Sequence, residues 1–178
     1  MKIVKSLMKE GVPKKEIFQC AIEEGLDRKK VAKYLAMYPD LNLSIRYERA
    51  NNILLTIYML IVAIGVYGAF GLLAQLPTNA FIIGLVIGLL IPGCIIYLIY
   101  TNHALGYLFL AFFSFKGIFD SFKEYDDSTV GVIAVSFGVI VSALLTIYSV
   151  VLKRKLFPHQ NFLNFKKDDE GLFVFTKD

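Results

Sequence analysis

Three stretches without a single charge, residues 53–74, 80–100 and 131–152, constrain this chain more than any other feature; they are 22, 21 and 22 residues long. At about 1.5 Å of rise per residue, a helix of that length crosses a hydrocarbon core about 30 Å thick. A weaker fourth run, 104–119, holds one charge, Lys116, close enough to its end for the long side chain to carry its ammonium to the headgroups. With 56% hydrophobic residues and a mean hydropathy of +0.59, the chain is more apolar than a usual soluble domain. The expectation is an all-α integral membrane protein with four transmembrane helices. The first run starts too late for a secretory signal peptide, so all four spans are expected in the mature chain.

Lys and Arg set the expected orientation. Eleven of the nineteen precede the first span, and six follow the fourth, beginning with Lys153, Arg154 and Lys155. The positive-inside rule then places both termini in the cytoplasm, which requires an even number of spans. The connections expected outside agree: 75–79 is uncharged, and 122–130 holds Glu124, Asp126 and Asp127 against Lys123. The expected location is a bacterial inner membrane. Cys20 and Cys94 fall in different media and are expected as free thiols.

The segment before the spans repeats every fourteen residues. Ile3, Val4, Leu7 and Met8 recur as Ile17, Phe18, Ala21 and Ile22, then as Val31, Ala32, Leu35 and Ala36. Each unit is apolar at i, i+1, i+4 and i+5, one stripe of a short amphipathic helix. Gly11 and Gly25 suit helix C-termini, Pro13 a first turn, and Asp27 an N-cap. Residues 1–40 therefore read as a cytoplasmic headpiece of three helices, too small to be stable without support. Residues 41–52 lead into the span region, 53–152, with Arg46 and Arg49 as anchors. Residues 153–178 form a basic, Phe-rich tail with two strand-like stretches around Gly171, a short β-hairpin-like unit. Such a unit is marginal alone, so Phe162, Phe165, Phe173 and Phe175 are expected to dock.

Within the spans the notable residues are small. Gly84 and Gly88 are four apart, and Ala134, Gly138 and Ser142 continue to Thr146 at the same spacing. These are helix-packing faces, because small residues let backbones approach closely in lipid. Pro92 and Gly93 are expected to kink the second span.

The segment 14–35 resembles a helix-turn-helix of DNA-binding regulators: Ala21, Gly25 and Val31 match its small, turn and apolar positions, whereas Glu24 replaces an apolar one. That resemblance implies phosphate contacts from Arg28, Lys29, Lys30 and Lys33. The same four side chains equally fit a solvated face, a docking surface or attraction to anionic lipid.

No catalytic cluster, metal-ligand spacing or cofactor motif stands out. His103 and His159 are the only histidines and have no ligand partners at metal spacing. Asp168, Asp169 and Glu170 lack the alternation of a calcium loop. Cys20 is expected to pack beside Ala21. The reading is a non-enzymatic multi-pass protein that recognises a protein partner, or its own copies, in or at the membrane, as an accessory subunit or toxin-immunity-type protein. The alternative is a small oligomeric channel or transporter, with Asn102 and His103 at a cytoplasmic mouth. A membrane-tethered DNA-binding regulator comes third.

Overall fold

The computed structural model describes residues 1–178 apart from 74, 76, 124–127, 162–165 and 177–178. Its elements are α1 (Lys2–Lys9), α2 (Lys14–Glu23), α3 (Arg28–Met37), α4 (Leu41–Leu73), α5 (Thr78–Tyr100), α6 (Ala104–Lys123) and α7 (Thr129–Leu156). The last four are each long and apolar enough to cross a membrane.

Turn chemistry ends the short helices where the repeat provides it. Gly11 and Gly25 adopt left-handed backbone, φ 80° and 79°. Beyond each, an amide reaches back to close the helix end: Val12 N–H donates to Leu7 O, and Leu26 N–H to Ala21 O. This is the Schellman arrangement that glycine permits without steric cost. The Asp27 carboxylate caps α3 by accepting from Lys30 N–H at 2.9 Å. Val4, Ile17, Ala21, Val31 and Leu35 then bury one another.

Cys20 is not part of that packing. The buried face of α2 runs Lys14, Ile17, Ala21, and Cys20, one residue or about 100° off this stripe, lies exposed, as does Cys94. Lys14, a charged residue on that face, is buried.

The four long helices form a ring: α4 packs on α5 and α7, and α6 on α5 and α7. Packing is complete in only one half. Buried positions are Asn51, Leu54 and Tyr58 in α4, Ile95 and Ile99 in α5, and Ala104 to Ser114 in α6, with Leu145 to Leu156 in α7. All lie towards the α5–α6 turn, the end that carries α1–α3. Beyond Tyr58 in α4 and before Ile95 in α5, none of the described side chains is buried.

Small residues make the tightest helix contacts. A Cβ on Gly106 would lie 2.8 Å from the Ile99 backbone nitrogen, and one on Gly138 2.8 Å from Ser121 Oγ. A Cβ on Gly117 would likewise lie 3.0 Å from Ser142 Oγ. Gly117 and Ser121 on α6 thus meet Ser142 and Gly138 on α7 in antiparallel register, close approach without hydrophobic drive. α5 continues through Pro92, which offers no N–H to the carbonyl of Gly88.

After α7, the tail contains no strand among the described residues. A single antiparallel bridge joins Lys167 and Phe173, with Gly171 in left-handed backbone and the Asp168 carboxylate accepting from Leu172 N–H at 2.8 Å. Backbone hydrogen bonds from Asp168 N–H to Leu172 O and from Val174 N–H to Lys166 O, each 2.9 Å, continue the pairing on either side of the bridge, while Phe175 stacks on Phe18, ring centres 5.1 Å apart. The first strand-like stretch expected there falls largely on 162–165, outside the described residues.

Candidate functional site

The polar side chains of the chain converge where α1–α3 and the tail meet the packed half of the bundle. Tyr107, fully buried on α6, is the centre. Its hydroxyl lies 2.6 Å from Asn51 Oδ1 on α4 and 3.1 Å from Asn102 Oδ1 in the α5–α6 turn. Asn51 Nδ2 donates to Ile99 O at 3.3 Å, Asn102 Nδ2 to Ser44 Oγ at 3.1 Å, and Ser149 Oγ on α7 to the Tyr107 carbonyl at 2.7 Å. All four long helices are thereby hydrogen-bonded through one node. In a low-dielectric interior such a network is strong when satisfied and costly when broken.

Asn102 holds its place through backbone geometry. It is the one non-glycine residue described with positive φ, 53°, and His103 N–H reaches Leu98 O at 2.8 Å. Asparagine tolerates this left-handed position where most residues do not. Asn102 and His103, considered as lining for a pore mouth, are engaged here: His103 meets the Tyr38 ring edge-on at 5.1 Å.

A second layer ties α1–α3 and the tail to the bundle. The Lys14 ammonium donates to Tyr38 O at 2.7 Å and to Phe175 O at 3.3 Å, with Asp40 at 3.4 Å. Burial lowers the Lys14 pKa more than Asp40 raises it. His159, 4% exposed, sets Nε2 3.3 Å from Ala36 O, beside the Gln160 amide that donates to the same carbonyl. A ring nitrogen facing a carbonyl must carry the proton, so Nδ1 is the bare nitrogen. It is buried without a hydrogen-bond partner among the described residues. Burial, with help from the Lys14 charge, holds the His159 pKa down at about 4. Burial also lowers that of His103. Lys153 Nζ donates to Asn161 O at 3.1 Å, and Arg28 pairs with Glu170 at 3.4 Å on the surface.

The residues singled out by sequence are distributed more widely. Arg28, Lys29, Lys30 and Lys33 are all exposed. Phe173 holds the Lys167 ammonium 5.2 Å over its ring, Phe175 joins the α1–α3 core, and Phe162 and Phe165 lie outside the described residues. Gly84 is half-buried, while Gly88, Gly93 and Ala134 are exposed, Pro92 half-buried, and Gly138 and Ser142 half-buried against α6. Asn51, Tyr107, Ser149 and Lys14 carry no motif in the sequence, and His159 stands out there only as a histidine without metal-spaced partners. Isolated polar residues in or beside apolar runs are the only signal they leave, and nothing in sequence pairs Asn51 with Tyr107.

No protein-family model matches the chain, and no curated protein or solved structure shows significant similarity to it.

Proposed function

We propose that the chain acts without catalysis, by recognising a protein partner or a second copy of itself through transmembrane helices, in the manner of an accessory subunit or a toxin-immunity-type protein. One observation carries this reading. The buried stripe of α4, Leu54 and Tyr58, continues after seven residues to Gly65, and that of α5, Ile99 and Ile95, continues back to Gly88. At Gly65, Gly68 and Gly88 an added Cβ would meet nothing within 4 Å. Each glycine costs helix stability of up to about 1 kcal/mol relative to alanine. Within the chain these three have no close neighbour to justify it, whereas Gly106 and Gly138 do. Glycines of this kind let another helix approach closely.

In this reading both termini face the cytoplasm of a bacterial inner membrane, since the basic residues cluster at the end bearing α1–α3 and the tail. The three-helix headpiece and tail, locked to the bundle by Lys14 and His159, present the cytoplasmic side of the docking surface. Copurification from mild detergent tests the proposal: Gly65→Leu and Gly88→Leu should release the retained partner, or dissociate the oligomer, while the protein still inserts. Retention equal to that of the unaltered protein would refute it.

The runner-up is a small oligomeric channel or transporter. It draws support from the same unpacked half, which ends at the polar node around Tyr107. Ion flux in liposomes that persists when residues 2–38 are removed would favour it.

A further inference from the structure

The face of α4 opposite its buried stripe carries two adjoining grooves of different character. The first, about 510 Å³, is a shallow open surface made by α4 alone at the start of the apolar run and includes Arg46, Glu48, Arg49, Asn52 and Thr56. The second, about 540 Å³, begins one turn further on and runs between α4 and α5, bounded by Met59, Val62, Ala63, Val66, Leu89 and Ile96. Arg49, Asn52, Thr56, Met59, Ala63 and Val66 follow one another at spacings of three and four, so they form a single track along the helix. The track is basic and hydrogen-bonding at one end and wholly apolar at the other.

We propose that this track binds one anionic phospholipid, its phosphate at Arg46 and Arg49 and an acyl chain in the α4–α5 groove. Two exposed guanidinium groups against one carboxylate, Glu48, leave a net positive end that suits a headgroup with a net negative charge. Guanidinium matches phosphate oxygens in a planar, two-pronged geometry. The dimensions agree. From Thr56 to Val66 the helix rises about 15 Å, half of a hydrocarbon core about 30 Å thick, which is the depth of one leaflet. Exposed Tyr97 and Tyr100 on α5 stand at the level of Asn51, as its hydrogen bond to Ile99 fixes, and tyrosine favours the headgroup zone. A second copy is the poorer occupant, because a parallel neighbour would set its own Arg46 and Arg49 against these. The lipid track and the open glycines Gly65 and Gly68 occupy opposite faces of α4, so this site is distinct from the partner face of α4 and requires only that the chain be in a bilayer.

Native mass spectrometry of the full chain, released from nanodiscs of equal phosphatidylglycerol and phosphatidylcholine, tests the assignment. The unaltered protein should retain one phosphatidylglycerol in preference to phosphatidylcholine. Arg46→Gln with Arg49→Gln should weaken that retention roughly thirtyfold. Ala63→Phe, which obstructs the apolar groove while leaving both arginines, should weaken it as well. Lys29→Gln with Lys30→Gln removes equal charge from the exposed surface of α3 and should leave retention unchanged. Equal retention of the two lipids, indifference to the arginine pair, or an equal loss in the lysine control would each overturn the site. Copurification of the partner is read separately and is expected to be unaffected by the arginine pair and by Ala63→Phe.

Discussion

Asn51 and Tyr107, fifty-six residues apart in the chain, meet at 2.6 Å in the buried centre of the packed half-bundle. The contact joins α4 to α6, helices diagonal to one another in the ring, and Asn51 carries it on to α5 through Ile99. It fixes the register of the long helices, which apolar side chains sliding on one another would leave loosely defined.

Tyr107→Phe should therefore destabilise the protein by about 1–3 kcal/mol, because the buried Asn51 amide oxygen is left without its donor. Asn51→Leu combined with Tyr107→Phe should cost less than the two single changes added together, since the orphaned group is gone. A double-mutant cycle on thermal unfolding in detergent checks this; simple additivity would remove the coupling.

Glycine substitutions should divide by what a Cβ would meet. Gly106→Ala drives a methyl into the Leu98–Ile99 backbone, 2.8 Å from the Ile99 nitrogen, which cannot give way as a side chain can, and should cost about 1–3 kcal/mol or more. Gly88→Ala meets nothing within 4 Å and should be neutral or stabilising by up to about 1 kcal/mol through helix propensity. Melting temperatures of the two variants decide the matter, and similar losses at both would contradict the packing described.

Acid should loosen the clasp between the tail and α1–α3. The folded-state pKa of His159 is depressed to about 4, from an unfolded value near 6.5, so the unfolded chain takes up the proton first as pH falls. The stability is fully present above pH 6.5 and is lost as pH falls towards 4, by up to about 3 kcal/mol. Protonation would set a cation beside Lys14 and Lys153, with the Asp40 carboxylate opposing them. Denaturation measured between pH 7 and pH 4 should show this slope, and His159→Gln should flatten it.

The two thiols should report the membrane directly. Both are exposed, yet Cys20 is on α2 and Cys94 is inside the apolar helix α5. A membrane-impermeant maleimide should label Cys20 and leave Cys94 untouched until detergent is added. With α1–α3 in the cytoplasm, Cys20 should react in inverted vesicles and be protected in right-side-out ones. Labelling of Cys94 in intact vesicles would displace α5 from the bilayer.

Much of the architecture follows from local composition. The three uncharged runs of twenty-odd residues can hardly be anything but long apolar helices, and they stand as such beside the fourth, charge-bearing one. Gly11 and Gly25 mark their turns because no other residue adopts that backbone so cheaply. These are properties of a segment and its solvent, and a sequence displays them without reference to the rest of the chain.

Tertiary structure alone decided which residues find each other. Lys14 reads as a solvated cation, yet it is buried because Tyr38 and Asp40 in the α3–α4 link and Phe175 in the tail supply its partners. Cys20 reads as core and lies outside it, since the packed stripe of α2 follows Lys14, Ile17 and Ala21. The tail reads as a hairpin-like unit that must dock, and the structure supplies the place, Phe175 stacking on Phe18 of α2. The sequence likewise marks small residues without saying which are occupied: Gly138 rests against Ser121, and Gly88 stands open. Apolar periodicity specifies which way a helix faces. The partner on that face depends on how separate helices align, and in this chain that alignment is held by a few buried hydrogen bonds between residues far apart in sequence.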